Sequence, residues 1–191
     1  MGLKKVSTEN IIKGIRKSFN NAESLLQDAT ILQSKKKFPR AYTLCQIAIE
    51  ELAKIPILIK LMTDRINNNN IEYEEIDYSF ISHSAKTKIS IEYEIGVFKQ
   101  LKNIIENDCW NKLIESSKKL IPKIQEQNEL KKASLYVTIK GEDFQSPDEV
   151  IDEVKFKSLY GIALLRIFIF KKVSNITIEN FNKAIRLEKE S

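Results

Sequence analysis

The sequence predicts an all-α protein, a bundle of five or six helices with one short extended insertion near residues 135–145. Three observations carry this expectation. Only five Gly and four Pro occur in 191 residues, too few for a turn-dense β fold. Leu, Ile, Lys and Glu dominate, and most of these favour helix. Apolar residues recur at a period near 3.6 over most of the chain, and "LYVTIKGEDFQSP" breaks that pattern with a short β-branched, apolar stretch.

Taken in order, Ser7 or Thr8 can cap a first helix whose apolar face is Ile11, Ile15, Phe19, Ala22, Leu25, Leu26, Ala29 and Leu32. That helix should end near Lys36, before "KKKFP". Pro39 suits the first turn of a second helix reaching about Asp64. Ala41, Cys45, Ala48, Leu52 and Ile55 form its stripe, and apolar residues spread well beyond it, so it should be central. Pro56 removes one backbone donor inside it and should kink it. The stretch "RINNNNIEYEEI" reads as a surface loop. A third helix should begin near Ile76 or Asp77 and carry "YSFISHSAKTKIS". A fourth should span about Ile95 to Asn128, with Pro122 as the point of any interruption. Leu135 to Ile139 reads as extended, and Gly141 turns the chain. Ser146 then caps a helix with Pro147 at its first position, running to about Val173, and Thr177 and Glu179 open a short terminal helix. No repeat or linker divides the chain, so residues 1–191 read as one domain.

Composition bounds the function loosely. Lys and Arg number 31 against 26 Asp and Glu, a net charge of +5 that permits an anionic partner without requiring one. Two cysteines, Cys45 and Cys109, make no disulfide framework or zinc pattern. The beginning "MGLKKVSTEN" has no apolar signal region, and Val6 breaks the myristoylation pattern. The longest apolar run, Leu159 to Phe170, has twelve residues and contains Arg166, whereas a membrane span needs roughly 20. A cytoplasmic protein without a membrane segment is expected.

Two constellations could carry chemistry. The apolar helix "RAYTLCQIAIEELAKIPI" holds Arg40, Glu50, Glu51 and Lys54. Charges there are costly unless paired or used. Arg40 and Glu51 fall on one flank. Glu50 and Lys54, four apart, can pair on the surface. The remaining acid would meet a basic residue from another helix, and Arg166 is the natural candidate. The second constellation is "SHSAK", Ser82 to Lys86. His83 is the only histidine, and on a continuous helix it shares a face with Ser79, Lys86 and Thr87. A histidine that exchanges a proton beside a lysine that holds phosphate is sufficient for metal-free RNA cleavage. A surface histidine beside a solvated lysine is the plainer alternative. No glycine-rich phosphate loop, serine elbow or di-metal carboxylate set is present, and no cofactor is expected.

The order of "RAYTLCQIAIEELAK", "SHSAK", "KKASLYV" and "SPDEV" resembles the AbiV family of bacterial abortive-infection proteins, over about Ala22 to Val150. The resemblance implies a HEPN-like helical fold, phage defence and arrested translation. It also implies a homodimer and activation by a phage-encoded protein. Its carry-over falls on Arg40, Glu50, Glu51, Lys54, His83, Lys86 and Tyr136. Together with the reading of the residues, this makes Arg40, Glu51, His83 and Lys86 the expected catalytic set, with Glu50, Lys54, Ser82, Tyr136 and Arg166 in binding or support. Ala53 stands where the family has Gly, and Thr138 where an Asp is common. The HEPN nuclease signature, an Arg followed by four to six residues and a His, is absent: His83 is the only histidine, and Ile76 to Ser79 contain no Arg. Two functions remain open: a ribonuclease acting on cellular RNA, and a non-enzymatic inhibitor that binds the ribosome or a translation factor.

Overall fold

The computed structural model describes residues 2–104 and 109–190. After a 3-10 turn at Leu3–Lys5 come α1 (Thr8–Ser34), α2 (Phe38–Ile66), α3 (Tyr73–Ile81), α4 (His83–Ile104) and α5 (Cys109–Lys118). A second 3-10 turn, Ile121–Lys123, leads into α6 (Ile124–Ala133). The hairpin β1 (Thr138–Lys140) and β2 (Asp143–Gln145) follows, then α7 (Pro147–Val150) and α8 (Glu153–Glu190). The protein is an all-α, HEPN-like bundle with a small antiparallel hairpin, as expected, but the described residues form eight α-helices where five or six were expected.

Ser7 caps α1 by accepting from the Asn10 backbone N–H at 3.3 Å. The chain reverses at Lys36, which takes a positive φ of 54°, and α2 packs back along α1. Helix α2 is central. Ala41, Cys45, Ala48, Leu52 and Ile55 are all fully buried, as the stripe required, and Ala53 is buried with them. Small residues along this helix let its neighbours approach closely. Burial pushes the Cys45 thiol up to about 12, as befits a small core residue rather than a reactive one. Ile11, Ile15, Leu26, Phe156 and Phe170 complete the main core from α1 and α8. Each such side chain stabilises the fold by about 1.5–3 kcal/mol. A second core joins Ile91, Ile95 and Phe98 of α4 to Ile114 of α5 and Ile169 of α8. Helix α2 continues through Pro56 to Ile66.

Four boundaries differ from the sequence reading. The helix expected to carry "SHSAK" in its middle breaks at Ser82, whose φ of −66° and ψ of 123° end α3. His83 therefore opens α4, and Ser79 belongs to a different helix. The expected Ile95–Asn128 helix is instead the end of α4, then α5, the turn holding Pro122, and the start of α6. The helix begun at Pro147 stops at Ile151, which is extended. Asp152 recaps the chain by accepting from the Lys155 backbone N–H at 2.8 Å. No separate terminal helix exists, because α8 runs on to Glu190.

The hairpin pairs Thr138 with Gln145, Ile139 with Phe144 and Lys140 with Asp143. Gly141, at φ 66°, supplies the left-handed residue that a two-residue hairpin loop needs at its first position. Among the described residues, no helix is long and apolar enough to cross a membrane.

Candidate functional site

Glu50 is the centre of the site. Its position on α2 faces α4 and α6, and it is only 6% exposed. One carboxylate oxygen lies 2.6 Å from His83 Nδ1. The other accepts from Lys131 Nζ, also at 2.6 Å. The surface pair expected between Glu50 and Lys54 does not form. Lys54 pairs with Glu51, three residues away, and its ammonium lies 5.5 Å from the Phe80 ring centre. Both oxygens of Glu50 are taken by His83 and Lys131 from the neighbouring helices, which leaves Glu51 as the partner of Lys54.

The breaks in the chain place these groups. Ser82 Oγ accepts from the Ala85 backbone N–H at 3.3 Å, which starts α4 and sets His83 on its first turn. Helix α6 is pinned at its middle and at its C-terminal end. Asn128 donates to Ser84 Oγ at 3.1 Å, and the hydroxyls of Ser134 and Thr43 are 2.6 Å apart. Lys131, between these ties, is held over Glu50.

His83 remains 59% exposed at its side chain. It opens onto a cleft of about 570 Å³ lined by Ser82, Asn128, Lys131, Lys132 and Tyr136 among others. An ionised carboxylate can only accept hydrogen bonds, so Glu50 calls for the proton on Nδ1. Nε2 then carries a lone pair, free to take a proton from a group in the cleft. Tyr136 is 65% exposed on the cleft wall, and Lys132, paired with Glu129, is beside it.

Lys86 does not line this cleft. It is 6% exposed, and its ammonium makes no hydrogen bond or ion pair among the described residues. Burial holds its pKa below the usual 10.5, and the charge of Glu50 opposes that shift only in part. It is neither the solvated lysine nor the surface phosphate grip that the sequence suggested. With Lys54 and Lys131 it gives the cluster three ammonium groups against the carboxylates of Glu50 and Glu51, an excess of positive charge beside the histidine.

Arg40 is exposed in the first turn of α2, ten residues and ~15 Å along the helix axis from Glu50. It does not join the cluster. Arg166 does not meet Glu51. It is 2% exposed and donates to Glu94 at 3.0 Å, while the Ser117 hydroxyl donates to the other Glu94 oxygen at 3.3 Å. That network ties α8 to α4 and α5, away from the cleft. The sequence reading missed both Glu94 and Lys131. Lys131 stands in "KKASLYV", but nothing local reveals that it faces an acid 81 residues earlier. Among the described residues, no group of three or more His, Cys, Asp or Glu side chains could hold a metal ion.

A protein-family model described as AbiV matches residues 10–167. The chain belongs to the AbiV family. Membership accords with a HEPN-type protein of abortive-infection defence, and the matched span contains every residue of the Glu50 cluster. Neither the curated proteins nor the solved structures contain a match.

Proposed function

We propose that this AbiV-family protein defends its host by arresting translation as a metal-independent ribonuclease acting on cellular RNA. The observation that supports this most is the 2.6 Å contact between Glu50 and His83 Nδ1, which leaves Nε2 facing a lysine-lined cleft. In this reading His83 Nε2 takes the proton from a ribose 2′-hydroxyl. The 2′-oxygen bonds to the adjacent phosphorus, and the bond from phosphorus to the 5′-oxygen breaks. That oxygen takes a proton from solvent. The products are a 2′,3′-cyclic phosphate and a 5′-hydroxyl end. The ammonium of Lys131, a side chain 20% exposed that lines the cleft, offsets the charge that builds on phosphate. Lys131 thus takes the part that Arg40 or Lys86 was expected to play, and Lys86 acts only through its charge. Tyr136 offers an aromatic face to a base.

The wider reading is a cytoplasmic homodimer, silent until a phage-encoded protein activates it. The test is RNA from cells in which the protein has been triggered by phage, and RNA incubated with purified protein in chelator. Discrete fragments ending in cyclic phosphate, absent with His83→Ala, are expected. Intact RNA alongside arrested translation would reject the nuclease and favour a binder of the ribosome or a translation factor. One observation favours that second reading. The hairpin exposes Ile139 and Phe144, a cross-strand apolar pair each more than 70% exposed.

A further inference from the structure

Glu50 has two oxygens and three nitrogen groups as neighbours. His83 and Lys131 each hold one oxygen at 2.6 Å. The third neighbour, the buried Lys86, feels the charge of Glu50 yet makes no hydrogen bond among the described residues. Lys86 follows His83 by three positions on α4, so both side chains lie on one helix face and compete for one carboxylate. An ammonium that makes no hydrogen bond within the protein is a claimant on a neighbouring carboxylate. Something must keep Glu50 turned to the histidine instead.

We infer that Lys131 is a positioning residue: by holding one oxygen of Glu50 it keeps the other on His83 Nδ1, so that the imidazole carries its proton inward and presents Nε2 to the cleft. The inference rests on the nuclease reading of that cleft for its functional meaning, but the geometry stands apart from it. An isolated neutral imidazole prefers its proton on Nε2, which would leave no base facing the cleft. Glu50 reverses that preference only while it stays against Nδ1. Lys131 is well placed to enforce this, because α6 is tied to α4 through Asn128 and to α2 through Ser134, on either side of it. Without Lys131, the carboxylate turns to Lys86, and the histidine loses its acceptor.

The lone histidine gives a clean readout. Protein grown with 15N-labelled histidine yields one imidazole in a nitrogen–proton correlation spectrum, and its shifts identify the tautomer. The wild-type protein is expected to show the neutral ring with its proton on Nδ1. Lys131→Met should move the majority to the Nε2–H form, while Lys131→Arg keeps the wild-type pattern. Circular dichroism checks each fold. Should the Met variant not fold, Lys131→Gln is read by the same criterion, and failure of both to fold would overturn the proposal in favour of a purely structural lysine. A wild-type ring protonated on Nε2, or a folded Met or Gln variant that keeps the Nδ1–H form, would also overturn it. RNA cleavage by the wild-type protein is measured in parallel. Absence of cleavage would sink the nuclease reading while leaving the tautomer result valid. Cleavage together with an unmoved tautomer in Lys131→Met would sink the positioning role alone.

Discussion

Lys86 is kept at a cost. The Lys86 side chain is 6% exposed, so its ammonium loses part of its hydration and recovers some of it from the charges of Glu50 and Glu51. Methionine has a similar shape and no charge, so Lys86→Met should raise the melting temperature, with a gain of order 1 kcal/mol. The pH dependence follows from the lowered pKa. The unfolded chain holds that proton more tightly than the folded one, so the penalty is full at neutral pH. It is relieved as pH climbs toward the unfolded value of 10.5. The gap between variant and wild type should therefore be widest near pH 7 and narrow in alkali, and a constant gap would argue against the burial of charge as its source. His83 tests chemistry rather than stability. Its side chain is more than half exposed, and Glu50 retains Lys131 when the imidazole is removed. His83→Ala should melt like wild type yet lose about a hundred- to ten-thousand-fold in cleavage rate, erasing protection against phage. Arg166 behaves in the opposite way. Arg166→Met strands the buried Glu94 carboxylate and should cost about 3–5 kcal/mol in a denaturant titration.

The helices were legible because their apolar spacing is strong, above all on α2, where every residue of the expected stripe is fully buried. Their interruptions were not. Ser82 and Ile151 break the chain without glycine or proline, and the apolar period runs smoothly across both. What ends each helix is a local cap, Ser82 for α4 and Asp152 for α8, and such residues are as common inside loops as at helix starts. The candidate site suffered for the same reason. Glu50 and His83 could be singled out as costly or chemically able residues, but their pairing joins positions 33 apart, and Lys131 joins from 81 away. Lone positions do not disclose such partners. Gly141 was legible, because the short β-branched stretch that breaks the helical pattern turns at it. Gly141→Val forces a branched residue to φ 66°, a penalty of about 1–2 kcal/mol. The hairpin is largely exposed, so faster proteolysis between 138 and 145 is expected with the global melt almost unmoved. A large drop in the melt would mean that the hairpin supports the core.

At the scale of the molecule, the expected homodimer is open to a direct measurement. Light scattering at micromolar concentration should return about twice the chain mass of 22.1 kDa, and a clean monomer would remove the dimer from the proposed reading. Large apolar side chains stand exposed on several elements, among them Leu164 and Phe168 of α8 and Ile139 and Phe144 of the hairpin. Scattered exposure of this kind is ordinary on a monomer, so oligomeric state must come from solution rather than from the surface.

The distance in sequence between Glu50 and Lys131 also sets an order of events during synthesis. The acid leaves the ribosome 81 residues ahead of the lysine that holds it. At 5–20 residues per second, that interval is roughly 4–16 s. The histidine follows the acid by 33 residues, and from then until position 131 α6 is not yet there to close the cluster. If the chain attacks the machinery of translation, the ribosome making it faces an unfinished site for most of its own task, and a fragment that stops short of α6 is born harmless.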